Sequence, residues 1–210
     1  MQLAAVIGDI VDSKLTRERD TMQHAFVDVL DVVNHTTSPL TTLRITRGDE
    51  FEGSYATIAG AWAATLRLRL LMRAHGHDLW LSVAWGEVTA FPESADAAVQ
   101  DGPAWWTARD ALVALKQSSR QRVPENRRTV FTAGFTAGFA DPAFLEVAVS
   151  LRDEVLAGID DSDARITLGL LDGATQTAIA KQLGVTPGVV SRRAHRNGLL
   201  SLAASAKTTS

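Results

Sequence analysis

The apolar run at residues 3–7, LAAVI, stops at Gly8-Asp9, so it reads as a strand buried on both faces, and such a strand must lie inside a sheet. The segments that follow have to be arranged around it. Residues 17–34 carry Met22, Phe26, Val29, Leu30 and Val33 at helical spacing. Residues 41–46 and 51–55 flank Arg47, Gly48, Asp49 and Glu50 as a β-hairpin, with Gly48 relieving the turn. An Ala/Leu-rich helix is expected over 57–75, a strand over 79–88 and a further helix over 102–116. The order β-α-β-β-α-β-α predicts an α+β domain, a split βαββαβ unit with an antiparallel sheet covered by helices on one face.

In that unit the first strand lies centrally beside the hairpin, which brings Asp9 near Asp49 and Glu50. Carboxylates delivered to one point by adjacent strands make a site for a hard divalent cation and, through it, for phosphates. A plainer reading of the same residues stays open: Asp9 and Asp12 also suit a helix cap or turn, and Asp49 with Glu50 suits an ordinary hairpin.

Three blocks carry a resemblance: residues 6–13 (VIGDIVDS), residues 45–51 (ITRGDEF), and Asp101-Gly102-Pro103-Ala104 with residues 108–112 (ARDAL). Together they resemble the SatD family over roughly the first 115 residues. More distantly they resemble the palm domain of nucleotidyl and diguanylate cyclases, which implies a ferredoxin-like palm fold. The resemblance implies that Asp9 and Asp49 are metal ligands for Mg²⁺ or Mn²⁺, that the Ile10 carbonyl supplies a backbone ligand, and that Glu50 is an auxiliary carboxylate. Asp12, Ser13, Lys14, Arg47 and Gly48 then fall where a bound nucleotide would be contacted, although Lys14 also reads as a solvated surface charge. Trp106 and Asp110 stand where those cyclases place an Asn and an Arg that stabilise the transition state, so a nucleotide is expected to bind but to be cyclised slowly or not at all. Trp105 and Trp106 suit either base stacking or the core.

The chain contains no cysteine, which excludes disulfides, thiolate zinc sites and thiol nucleophiles and fits a reducing cytoplasm. The run at 3–7 has no basic stretch before it and meets Asp9 and Asp12, so it is expected to be neither a signal peptide nor a membrane span. The formal net charge of -3 hides an asymmetry: residues 161–210 hold 6 Lys and Arg against 3 Asp, whereas residues 1–160 hold 15 against 21 acids. A polyanion partner is therefore expected at the C-terminal end.

Residues 116–128, rich in Lys and Arg, read as a solvated loop, and Phe131, Phe135 and Phe139 repeat at helical spacing. A connecting helix is expected over 144–156. Beyond it, helices are expected at 165–171 and 175–183, with a turn at Gly184-Val185 and a third helix from Thr186-Pro187. This arrangement resembles the helix-turn-helix of sigma factors and many bacterial regulators. It implies contact of Thr186, Gly188, Ser191, Arg192, His195 and Arg196 with double-stranded DNA, and places Arg193 near the backbone. One reader has a small footprint, so a homodimer is expected. The expected organisation is a palm domain over 1–132, a connecting segment over 133–160, a small all-α helix-turn-helix domain over 161–203 and a flexible tail over 204–210. The overall reading is a DNA-binding regulator whose palm binds metal and nucleotide. The alternatives are a nucleotidyl-cyclase-type enzyme and a metal-free dimerisation domain.

Overall fold

The computed structural model describes residues 1–13, 19–90, 100–120, 126–133 and 142–207. The first part of the chain forms β1 (Gln2–Ile10), α1 (Arg19–Thr37), β2 (Thr41–Arg47), β3 (Glu50–Tyr55), α2 (Ile58–Ala74), β4 (Leu79–Glu87), β5 (Thr89–Ala90), β6 (Gln100–Asp101), α3 (Pro103–Arg120) and β7 (Thr129–Ala133). The helices α4 (Pro142–Ala157), α5 (Asp161–Leu171), α6 (Gln176–Leu183), α7 (Pro187–Arg196) and α8 (Leu199–Lys207) follow. The protein is thus α+β.

The main sheet has the order β2-β3-β1-β4-β7, and β1 is central as its apolar run requires. It pairs antiparallel with β3 and β4, in registers that set Gly8 opposite Phe51 and Asp9 opposite Glu50. Two expectations fail here. β7 pairs parallel with β4, which makes the sheet mixed. Helices also cover both faces, because both faces of β1 are apolar: Ala4, Val6 and Ile10 pack with α1 and α2, while Leu3, Ala5 and Ile7 pack with Ala104, Ala108 and Leu112 of α3. A strand buried on both sides cannot leave one face of its sheet bare.

Gly8 marks the tightest point of this packing. A Cβ there would stand 2.3 Å from Phe51 Cε1 and 2.8 Å from Leu81 Cδ2, so only glycine lets Phe51 lie across the strand and meet Phe26 edge-on, with ring centroids 5.5 Å apart. The residue next to the candidate ligand Asp9 is therefore fixed by core packing.

Helix α2 is apolar nearly all round and is buried on two sides. Ala61, Ala64, Leu68 and Met72 face the sheet, whereas Leu66, Leu70 and Ala74 share a second core with Ile179, Val190, Ala194 and Leu199 of the C-terminal helices. These helices therefore pack on the sheet domain, and Arg67 pairs with Asp172 at 2.7 Å across the same junction. Arg69, fully buried, is held between Asp78 and Asp153, and Asp153 also accepts from the Arg128 and Thr129 amides, each at 2.6 Å. This network ties α2, α4 and β7 together.

Phe131, one of three phenylalanines at helical spacing, lies in β7, while Phe135 and Phe139 lie outside the described residues. Two further expectations change. Helix α3, expected to end at Lys116, runs on to Arg120, into the span read as a solvated loop. Helix α8 runs through Lys207, into the span expected to be a flexible tail, because Leu199, Leu202 and Ala203 give it a buried face. Among the described residues, no helix is long and apolar enough to cross a membrane.

Candidate metal and nucleotide site

Asp9 is the penultimate residue of β1, and Asp49 sits in the two-residue turn that joins β2 to β3. Gly48 takes the first place in that turn at φ 63°, a conformation that glycine adopts without cost. Because Asp9 is registered opposite Glu50, the turn delivers the Asp49 carboxylate beside that of Asp9, and each perturbs the other. Burial pushes the Asp9 carboxyl above the usual carboxylate range; the Lys116 ammonium opposes that shift and Asp49 adds to it. At Asp49 burial also works upward, but hydrogen bonds involving Ser13 and Asp9 outweigh it, and its carboxyl lies below the ordinary value.

The four oxygens of the pair are used unequally. Ser13, buried, donates its hydroxyl to Asp49 Oδ2, and Lys116 Nζ donates to Asp9 Oδ2. Asp9 Oδ1 is buried and finds no hydrogen-bond partner among the described residues. An acceptor left in that state is costly unless something else binds it. Among the described residues no three His, Asp or Glu side chains converge on one point, so protein groups alone do not enclose an ion. Mg²⁺ uses one or two carboxylates and completes its octahedron with waters and phosphate oxygens, and the pair fits that requirement.

The other expected residues divide. Glu50 is ion-paired with Arg109 at 2.9 Å. Ile10 buries its side chain in the core, and Gly48 gives its carbonyl to Gln23 Nε2 at 2.7 Å. Arg47 is exposed at the end of β2. Asp12, at φ 53°, turns toward a separate cavity of about 690 Å³ with Arg73, His77 and Asp160. Lys14 lies outside the described residues. Trp106 is exposed with its Nε1–H on Asp101 at 2.7 Å, Asp110 is exposed, and Trp105 packs against the α3-side core.

The sequence reading missed Arg109 and Lys116 as a pair. They lie seven residues apart on α3, two turns along one side of the helix, with Leu112 buried between them. That spacing was the available signal. Both cations reach across to the strand-end carboxylates.

In the C-terminal helices Thr175 and Thr186 cap α6 and α7, accepting from the Ala178 and Val189 amides at 3.2 and 3.4 Å. Gly184, at φ 68°, closes α6. Val190 and Ala194 are buried, Ser191 is partly exposed, and Thr186, Gly188, Arg192, His195 and Arg196 are exposed. Arg193 differs from its expected position near a DNA backbone: its Nε donates to Asp163 at 2.7 Å and its Nη2 to Asp160 at 2.5 Å. It fastens α7 to α5.

Residues 3–121 match the family model described as SatD family. Among solved structures, a bacterial light-regulated adenylyl cyclase is similar at 15% identity, covering 62% of this chain and 74% of the other, with a TM-score of 0.48. The adenylyl cyclase CyaB from P. aeruginosa is similar at 13% identity over 54% of this chain and 71% of the other, TM-score 0.44. The active GGEEF domain of a diguanylate cyclase from Vibrio cholerae is similar at 14% identity over 65% and 85%, TM-score 0.44. No curated protein matches.

Proposed function

The chain belongs to the SatD family, and from that footing we propose that it is a metal-dependent nucleotide-handling protein in which Asp9 and Asp49 hold Mg²⁺ or Mn²⁺ and, with it, the phosphates of a nucleoside triphosphate. The observation that carries this reading is the buried, unpartnered Oδ1 of Asp9 beside a second carboxylate. When bound, the metal neutralises phosphate charge and polarises the phosphoryl oxygens. The chain's own contribution is positional: Ser13 orients Asp49, and Lys116 supplies positive charge to Asp9. In this reading Arg109 and Lys116 on α3, which pair with Glu50 and Asp9, would turn to phosphate oxygens, in part replacing the cation that Asp110 cannot provide. Turnover to a cyclic product is accordingly expected to be slow. Electron paramagnetic resonance of added Mn²⁺ tests the site: wild type should hold the ion more tightly with ATP or GTP present, and the double variant Asp9→Asn, Asp49→Asn should not. Equal Mn²⁺ binding by both proteins contradicts the reading.

A second reading is supported by the exposed Arg192, His195 and Arg196 on α7, in a stretch without acids: the C-terminal helices bind duplex DNA as a helix-turn-helix. Anisotropy titration of labelled duplexes at low salt should then show affinity lost by Arg192→Ala and Arg196→Ala. No binding by the full chain to any duplex sinks this reading and leaves the first intact.

A further inference from the structure

A cleft of about 220 Å³ opens on the α3 face of the sheet. Ile7 and its registered partner Glu52 line it from the sheet, Gln100 from β6, and Trp105, Trp106 and Arg109 from α3. Ile7 precedes Asp9 by two residues on the same face of β1, a distance of about 7 Å along a strand. Arg109 ties the cleft to Glu50, and Glu50 stands opposite Asp9. Cleft and carboxylates are therefore within the span of one small ligand.

The polar groups of the cleft are prepared for a planar partner. Gln100 Nε2 donates to Thr41 Oγ1 at 3.3 Å, which orients the amide and leaves its Oε1 buried with no partner among the described residues. Trp105 Nε1–H is buried and likewise without a partner. Two residues that line the same small cleft thus each carry a buried polar atom, one acceptor and one donor, without a partner among the described residues. Trp106 is 58% exposed, yet its indole is anchored through Nε1 to Asp101, so it offers a fixed aromatic plane to solvent.

Resting on the reading that Asp9 and Asp49 engage nucleotide phosphates, we propose that this cleft is the base subsite of the same ligand. A nucleobase stacks on Trp106, an N–H on its edge donates to Gln100 Oε1, and a ring nitrogen or carbonyl accepts from Trp105 Nε1–H. Stacking on an aromatic side chain with hydrogen bonds to the base edge is how proteins take up an unpaired base.

Calorimetric titration of the full chain in Mg²⁺, with inorganic tripolyphosphate and with ATP, GTP, CTP and UTP, separates base from phosphate. At least one nucleotide should bind more tightly than tripolyphosphate. Trp106→Ala and Gln100→Leu should each weaken that nucleotide about tenfold, ~1.4 kcal/mol, and leave tripolyphosphate unchanged. Trp106→Phe, which keeps the stacking plane, should retain most of the affinity. If no nucleotide binds more tightly than tripolyphosphate, or if the variants leave the preferred nucleotide unaffected, the base subsite is wrong while the phosphate reading stands. If neither tripolyphosphate nor any nucleotide binds, the phosphate reading fails and the base subsite falls with it.

Discussion

The ammonium of Lys116 on α3 is bonded to Oδ2 of Asp9 on β1, while Oδ1 of the same carboxylate is buried without a partner among the described residues. One oxygen of the candidate ligand is neutralised by the protein and the other is left open. In the proposed metal reading, a lysine in that position would compete with the ion for Asp9 and would supply positive charge to a phosphate once the metal is bound.

Replacing Lys116 by Met should therefore act with opposite signs on two ligands. Free Mn²⁺ should bind more tightly, because its competitor is gone, whereas Mg²⁺-nucleotide should bind about tenfold more weakly through loss of a charge-assisted contact. Parallel titrations of the two ligands check this. A change in the same direction for both would show that Lys116 is only a structural partner of Asp9.

Buried charges should separate into one that the fold needs and one that it tolerates. Asp153→Ala takes from Arg69 one of its two carboxylates and from the Arg128 and Thr129 amides their shared acceptor, and should cost about 3 kcal/mol in urea unfolding. Arg152 lies over Trp62 at 4.2 Å, donates through Nη1 to Trp62 O and Thr65 Oγ1, has its guanidinium pushed down to about 10 by burial, and leaves Nε and Nη2 without partners among the described residues. Arg152→Met should thus cost less than about 1 kcal/mol.

Arg193→Ala should lower the melting temperature, because it removes the bonds that fasten α7 to Asp160 and to the buried Asp163 of α5. A loss of about 1–3 kcal/mol is expected for charged hydrogen bonds of this kind. If the variant melts like wild type and loses only DNA affinity, Arg193 is a phosphate contact after all.

The acid limb of stability should depend on Asp78. Burial pushes this carboxyl upward, but the Arg69 guanidinium more than compensates, and its value in the folded protein lies below the ordinary 3.8. The native state then holds fewer protons at Asp78 than the unfolded chain. Its stabilising contribution is complete above about pH 4 and is lost as the pH falls below that range. Chemical denaturation between pH 2.5 and 6 should show a flatter acid limb for Asp78→Asn than for wild type.

The central position of β1 and its approach to the hairpin were legible in the sequence, because an apolar run broken by Gly8-Asp9 has few places to go in a sheet. Thr175 and Thr186 also announced their helices, since capping is local chemistry. Contacts between distant segments were not legible. Lys116 looks like the start of a basic loop until α3 is laid over β1, and Arg193 looks like a DNA contact until α5 presents Asp160 and Asp163. The second helical layer was implied by the two-sided burial of β1, but pairing rules alone did not identify α3 as its source.

The central claim is that Asp9 and Asp49 join a divalent cation to nucleotide phosphates. Isothermal calorimetry of the full chain with ATP and with GTP, each with Mg²⁺ and with EDTA, tests it most directly when wild type is run beside Asp9→Asn and Asp49→Asn. Saturable binding by wild type that requires Mg²⁺ and disappears in both variants is the predicted result. Nucleotide binding of equal strength in EDTA, or unchanged in either variant, would contradict it.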